Sequence, residues 1–132
     1  MPQPSSQRLT PAEWKVMKII WEQKQCAARD VCEAAGHKHG WAVSTVKTIL
    51  RRLVEKGYLK TTQVGNSFLY RPARPALKSL LGAADTLLEN AIEGTVGPLL
   101  AYMVKKGDLS AEELAELRSL LDKVSPSEEQ EP

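Results

Sequence analysis

Two cysteines and two histidines lie close together in the sequence, at Cys26, Cys32, His37 and His39. Thiolates and imidazoles are the side chains that hold zinc or copper, and a reactive thiolate can also respond to oxidants. However, the order Cys-x5-Cys-x4-His-x-His matches no standard metal site. A free cysteine on the apolar side of a helix commonly behaves as a small hydrophobic residue. The sequence therefore predicts no metal and no cofactor, with a thiol- or metal-responsive regulator left as an alternative.

A second set of polar side chains lies between residues 44 and 52, where hydroxyls and cations interrupt an apolar pattern. The apolar positions follow helical spacing at Val46, Ile49, Leu50, Leu53 and Val54. The other side of the same helix carries Ser44, Thr45, Lys47, Thr48, Arg51 and Arg52. Short hydroxyls can approach base edges or a thymine methyl group, and the longer cations reach guanine acceptors or phosphates. This helix is predicted to contact double-stranded DNA.

The charge of the chain is divided unevenly along its length. Residues 8–78 contain 14 Lys and Arg against 5 Asp and Glu, whereas residues 79–132 contain 4 against 11. The two segments carry +9 and −7, which sum to the formal net charge of +2. A basic first half fits a polyanionic partner, and an acidic second half would be repelled by one. The two halves are therefore predicted to do different jobs.

Two helices are predicted before the DNA-contacting one. The first begins behind a capping box made by Thr10 and Glu13 and fades near Gln23. A second, short helix is predicted over residues 28–35, with Gly36 as its stop.

The third helix is predicted to end at Lys56, with its first turn at Ser44 or two residues earlier. The segments "YLKTTQV" and "SFLYR" then alternate with strand periodicity around Gly65-Asn66, a glycine-bearing hairpin turn. Polar and basic residues of this hairpin and the segment after it are predicted to hold the DNA backbone: Lys60, Thr61, Thr62, Arg71 and Arg74. Three helices followed by a two-stranded wing predict a winged helix-turn-helix domain over residues 8–72, mainly α with a small β-hairpin.

Helices alone follow the wing. One is predicted from residue 77 to near Gly94, one over 96–106, and one from a capping box at Ser110 and Glu113. Their apolar stripes cannot easily be buried within so short a segment, so residues 73–124 are predicted to form a homodimer. The predicted dimer contacts are Leu77, Leu80, Leu81, Leu87, Leu88, Ile92, Leu117 and Leu121. Folding of these helices back onto the first domain is the alternative, and residues 125–132 are predicted to be disordered.

Several classes of protein are not favoured by the sequence. No apolar run approaches the about 18 residues of a membrane span, and "MPQPSSQRLTP" lacks the hydrophobic core of a signal peptide. A cytoplasmic protein with no membrane partner is predicted. There is no Gly-rich phosphate loop and no common hydrolase motif, so the chain is not predicted to be an enzyme.

Four segments together resemble the BlaI/MecI/CopY family of bacterial winged-helix repressors: "LTPAEWKVMKIIWEQ", "STVKTILRRLVEKGYL", "FLYRP" and "LSAEELAELRSLL". The resemblance covers about residues 8–124. It implies repression by a homodimer on a two-fold operator, with the C-terminal helices dimerising. It also places base-edge contacts on Ser44, Thr45, Lys47 and Thr48, and backbone contacts around Arg51.

The same resemblance implies two further comparisons. Penicillinase-type repressors are inactivated when a sensor protease cuts between Asn and Phe, and the counterpart here is Ala101-Tyr102, which keeps an aromatic residue but not the Asn. Tyr102 is alternatively an interface aromatic. The copper-sensing branch carries paired Cys-x-Cys motifs near its C-terminus, whereas this chain has no cysteine after Cys32.

Two rival functions remain open at the level of the sequence. A winged helix can serve as a protein-interaction module, but such a module does not need cations on its third helix and wing. An enzyme built on the Cys/His group would need those side chains exposed and convergent.

Overall fold

The structure is a computed structural model that describes residues 8–124. Its contacts divide the chain into two compact units, one ending at Asp85 and the other beginning at Thr86. The order of elements is α1 (Pro11–Gln23), β1 (Cys26–Ala27), α2 (Ala28–His39), α3 (Val43–Glu55), β2 (Leu59–Val64), β3 (Ser67–Pro72), α4 (Ala76–Asn90), α5 (Val96–Lys106) and α6 (Ala111–Lys123). The first six elements form a winged helix-turn-helix domain, which confirms the predicted fold class.

The core of the first unit is made where the apolar stripes of α1, α2 and α3 meet. On α3 the buried residues are Val46, Ile49, Leu50 and Leu53, all at the predicted helical spacing. Val16, Met17 and Ile20 of α1 are fully buried against them. Burial of one such side chain contributes about 1.5–3 kcal/mol. Because the buried residues of α3 all lie on one side of the helix, their burial fixes which side of α3 faces outward.

The predicted end of the second helix is wrong. Helix α2 continues through Gly36 to His39 and is capped by Gly40, whose φ of 70° is left-handed. The segment "GHKHG" is therefore mostly helical rather than a turn. Both glycines carry a stop signal, but only Gly40 adopts the left-handed conformation that glycine tolerates without strain.

Helix α3 begins before the predicted hydroxyl cap. Its N-cap is Ala42, which makes no side-chain capping hydrogen bond, so the earlier of the two predicted starts is correct. Ser44 and Thr45 consequently lie inside the first turn, and their hydroxyls are not used as the N-cap. The other end of the helix is capped by Lys56, where the sequence predicted it.

The wing is part of a three-stranded antiparallel sheet in the order β1-β3-β2. Strands β2 and β3 pair from Leu59 with Pro72 to Val64 with Ser67, around the two-residue turn Gly65-Asn66. Gly65 has a φ of 62°, which suits the first central position of a tight hairpin turn. Sequence analysis missed β1, whose Cys26 pairs with Tyr70, because a two-residue strand has no periodicity of its own.

Two contacts distant in sequence hold the ends of this domain together. The Glu13 Oε1 atom closes the capping box on Thr10 and lies 2.7 Å from the Lys56 Nζ atom at the end of α3. The Trp21 Nε1 group donates a hydrogen bond to the Arg74 carbonyl at 2.9 Å. The Arg74 guanidinium carbon lies 4.4 Å from the Tyr58 ring centroid. Arg74 is half-buried, and its predicted contact with the DNA backbone stays a prediction.

Helices α4, α5 and α6 contain no buried residue. The bounds of α5 match the prediction, and the capping box of Ser110 and Glu113 at the start of α6 is confirmed. Helix α4 ends at Asn90, so Ile92 lies outside the helix in which it was expected. None of the helices within residues 8–124 is long and apolar enough to cross a membrane.

The predicted domain boundary between residues 72 and 73 stays a prediction. The division of the chain into two compact units falls later, between Asp85 and Thr86 within α4. The predicted tail over residues 125–132 lies outside the described residues.

Candidate nucleic-acid interface

The polar face of α3 is turned away from the core. Ser44, Lys47 and Arg51 follow one another at helical spacing and are all exposed. Thr45 and Arg52 are exposed beside them. Five of the six predicted residues of α3 are therefore exposed. Together with the half-buried Thr48 they make up the polar side of α3, which we call the recognition face: Ser44, Thr45, Lys47, Thr48, Arg51 and Arg52.

Thr48 is the exception, because it is half-buried and already bonded. Its hydroxyl donates a hydrogen bond to the Ser44 carbonyl at 3.0 Å. A threonine oxygen bonded in this way still has lone pairs that can accept. Its methyl group also remains available for an apolar contact. Because its hydroxyl proton is already donated, Thr48 can form fewer new hydrogen bonds than Ser44 or Thr45.

The wing places three of its four predicted contacts on the face opposite the core, whereas Thr61 pairs with Tyr70 on the other face. Side chains alternate along a strand, and residues paired across an antiparallel ladder share a face. Buried Leu59 marks the face toward the core. Lys60 pairs directly with Arg71, and Thr62 pairs with Leu69, so all of these lie on the outer face. Lys60, Thr62 and Arg71 are exposed on this outer face.

The cations of both surfaces have no carboxylate partner among residues 8–124. Only two ion pairs occur in that range: Lys38 with Glu22 at 3.8 Å, and Lys56 with Glu13 at 2.7 Å. Lys60 and Arg71 face each other across the strands with like charge, an arrangement that costs stability on its own. An anion from outside the described chain would relieve that repulsion.

An open recess extends the recognition face toward the start of α2. Lys47 lines it together with Arg29 of α2 and Phe68 of β3. Sequence analysis missed Arg29 and Phe68 as interface candidates. Arg29 could have been predicted, because it is a cation in the first turn of α2 and the helix before a recognition helix crosses the DNA backbone.

The cysteines and histidines do not form a site. Among residues 8–124 no three His, Cys, Asp or Glu side chains are grouped as metal ligands would be. Cys26 is 2% exposed in β1, while His37 and His39 are exposed on α2. Burial, followed by the nearby Asp30 carboxylate, raises the pKa of the Cys26 thiol. A thiol with a raised pKa is mostly protonated at neutral pH and is a poor nucleophile.

Comparison with known proteins places this geometry in a family. The model of the penicillinase repressor family matches residues 9–123, nearly the whole described chain. The chain belongs to the penicillinase repressor family. The sequence-based resemblance to BlaI and MecI is thereby confirmed.

Individual relatives agree with the family match. An uncharacterized 16.5 kDa protein in the ptsI 3' region of Latilactobacillus sakei is 33% identical over 117 residues, covering 89% of this chain and 80% of that protein. The methicillin resistance regulatory protein MecI of Mammaliicoccus sciuri is 29% identical over 115 residues, covering 87% and 94%. The solution structure of the DNA-binding domain of the repressor BlaI has a TM-score of 0.51 and 29% identity, covering 58% of this chain and 90% of that domain.

Membership in the penicillinase repressor family favours a DNA-binding repressor over an enzyme. The family consists of DNA-binding transcriptional repressors and not of enzymes. The winged helix that is shared with the BlaI domain is the part of the chain that carries the recognition face.

Proposed function

We propose that this penicillinase repressor family member is a homodimeric transcriptional repressor that reads a two-fold operator with the recognition face of α3. The observation that carries the proposal is that this face is exposed, lies opposite the buried stripe of α3, and has no carboxylate partner within residues 8–124. In this arrangement α3 enters the major groove. Its hydroxyls and Lys47 contact base edges, and its arginines contact base edges or phosphates.

The exposed stripes of α4 to α6 support the homodimer. Leu77 is 67% exposed, Leu88 56% and Leu121 71%. Similar exposure extends to Leu80, Leu81, Leu87 and Ile92, while Leu117 is half-buried. Apolar surface on this scale is typical of an interface rather than of a free monomer. A second copy of the chain supplies a matching surface, because two-fold interfaces are self-complementary.

Dimerisation also supplies the affinity that a single small winged helix lacks. Once one domain is bound, the second meets its half-site at a high effective concentration, so two weak contacts act as one strong complex. This requires the operator to contain two similar half-sites related by a two-fold axis, with a spacing set by the dimer.

Selection of bound fragments from the host genome tests this proposal. The full-length chain is mixed with sheared genomic DNA, and the retained fragments are sequenced and footprinted. We expect an inverted repeat upstream of a small set of genes, protected over both halves. Retention of fragments with no shared sequence, or protection of one half-site by a monomer, would contradict it.

The regulated genes and the release step form the finer part of the proposal. The relative MecI is by name a methicillin resistance regulator, which supports β-lactam resistance genes as the proposed targets. Release by a sensor protease is proposed at Ala101-Tyr102 in α5, where Tyr102 is 58% exposed. The proposed place of action is the cytoplasm, where the chromosome is found.

The release step has its own test. Cells are exposed to a β-lactam, and the repressor is recovered and analysed by intact-mass spectrometry. We expect two fragments that meet at Ala101-Tyr102, and we expect Tyr102→Ala to abolish them. Loss of repression with an intact chain would contradict proteolysis and leave Tyr102 as an interface aromatic.

A protein-interaction module is the alternative function. Its partner would have to be acidic in order to match the unpaired cations of α3 and the wing. The DNA-binding domain of the relative BlaI favours nucleic acid as the partner instead.

A further inference from the structure

The recess beside the recognition face has features that the proposed base contacts do not use. It opens between the start of α2, the exposed side of α3 and the tip of the wing. We call it the strand recess, and its polar and aromatic lining consists of Arg29, Lys47, Asn66, Ser67, Phe68 and Tyr70. All of these residues lie in the winged-helix unit.

Among the described residues, the strand recess is lined by two cations and by no carboxylate. Arg29 and Lys47 are both exposed, and neither forms an ion pair with any residue in the range 8–124. Asp30 is adjacent in sequence, but its Oδ2 atom accepts a hydrogen bond from the Ala27 backbone N–H at 3.3 Å. Two cations on one concave surface repel each other, so the recess favours an anionic occupant.

Phe68 adds an apolar wall to this basic recess. Phe68 pairs with Gln63 and shares its face of β3 with Tyr70, which packs against the core. Because Phe68 lies nearer the tip of the wing, it extends past the core and remains 50% exposed. Asn66 and Ser67, next to it, offer an amide and a hydroxyl that can donate to phosphate oxygens.

We propose that the strand recess holds a sugar–phosphate segment of the bound duplex. Arg29 contacts a phosphate, and Phe68 packs against the neighbouring deoxyribose, whose carbon atoms are the apolar part of the backbone. Lys47 lines the recess and also belongs to the recognition face, so the segment that is held lies beside the base pairs that α3 approaches. This inference rests on the proposed function, and it makes Arg29 and Phe68 positioning residues that fix the register of α3 on DNA.

Charge removal in the full-length protein tests the role of Arg29. Two duplexes are used: a random-sequence duplex and an operator recovered by genomic selection. Because a phosphate contact does not depend on sequence, Arg29→Ala should weaken binding to both duplexes by the same factor, about tenfold for each recess occupied. The slope of log affinity against log salt should become shallower by about 0.9 for each chain bound. Arg29→Lys should keep the wild-type slope.

A matched control and an uncharged variant complete the design. Lys38→Ala removes a cation from the opposite end of α2, outside the recess, and should leave affinity and slope near those of the wild type. Phe68→Ala should weaken binding to both duplexes while leaving the slope unchanged, because it removes no charge. Circular dichroism checks that each variant is folded.

The outcomes separate the inference from the function on which it rests. If the wild type binds DNA and Arg29→Ala leaves the slope unchanged, the strand recess is wrong and the repressor proposal stands. If Arg29→Ala weakens operator binding alone, Arg29 reads sequence and the phosphate contact is likewise wrong. If the wild type binds neither duplex in a salt-dependent manner, the proposed function itself fails.

Discussion

Lys60 and Arg71 are paired across the wing in a way that costs stability and suits an anionic partner. We expect Lys60→Glu to raise the free energy of unfolding by about 0.2–1 kcal/mol, because it replaces a like-charged cross-strand pair with an opposite one. The same change should weaken DNA binding, since it places a carboxylate where a phosphate is expected. Urea unfolding and fluorescence anisotropy measure the two effects.

Lys60→Gln is the control for that variant. It removes the repulsion without creating an attraction, so both effects should be smaller. Unchanged DNA affinity in Lys60→Glu would show that the outer face of the wing lies away from the duplex.

The environment of Glu13 makes a second prediction at the scale of single residues. Glu13 is 1% exposed, and its pair with Lys56 is largely shielded from water, whereas Glu22 and Lys38 are about half exposed. Glu13→Gln should lower the free energy of unfolding by about 1–3 kcal/mol, because a buried polar contact loses its charge. Glu22→Gln should cost less than about 1 kcal/mol.

Urea denaturation of both variants measures the difference between these two pairs. Equal losses would show that burial does not distinguish them. The cap made by Glu13 could be predicted from sequence because it spans three residues. Its pair with Lys56 spans 43 residues and depends on how α1 and α3 pack, which no local pattern encodes.

At the scale of elements, the two glycines at the end of α2 give a matched pair of variants. Gly36 lies inside the helix, and a Cβ atom there would come no closer than 3.7 Å to the Trp41 carbonyl oxygen. Gly36→Ala should therefore stabilise the domain by about 0.5–1 kcal/mol. Gly40 has a φ of 70°, so Gly40→Ala should destabilise it by about 1 kcal/mol or more.

Thermal unfolding followed by circular dichroism gives the sign of each effect. A stabilising Gly40→Ala would contradict the left-handed conformation of Gly40. The end of α2 could not be fixed from sequence, since both glycines are compatible with a stop. The capping boxes of α1 and α6 were correctly located because each is specified by residues three apart.

Strand β1 shows a different limit of sequence analysis. Its two residues pair only because β3 presents a free edge beside them. The strand recess has the same origin, since Arg29 and Phe68 are far apart in sequence and meet only through the packing of α2 and the wing. The recognition face, in contrast, lies on one helix and follows from periodicity alone.

At the scale of the whole molecule, the exposed leucines of α4 to α6 are the feature that a single chain leaves unexplained. We expect Leu88→Glu to produce monomers with poor operator affinity, because a buried carboxylate at a dimer interface has no partner. Glu89→Gln changes the charge of the neighbouring exposed position and should remain dimeric.

Analytical ultracentrifugation gives the oligomeric state of each variant. If Leu88→Glu remains dimeric, the dimer interface lies in another part of the chain. The apolar stripes themselves were visible in the sequence, whereas the surface proposed to cover them lies on a second molecule.

The salt dependence of operator binding by the full-length protein tests the central claim most directly. With about four phosphate contacts at each half-site, log affinity should fall against log salt with a slope near −7. That result would follow from two basic winged-helix domains seated on one duplex, and a flat dependence would contradict it.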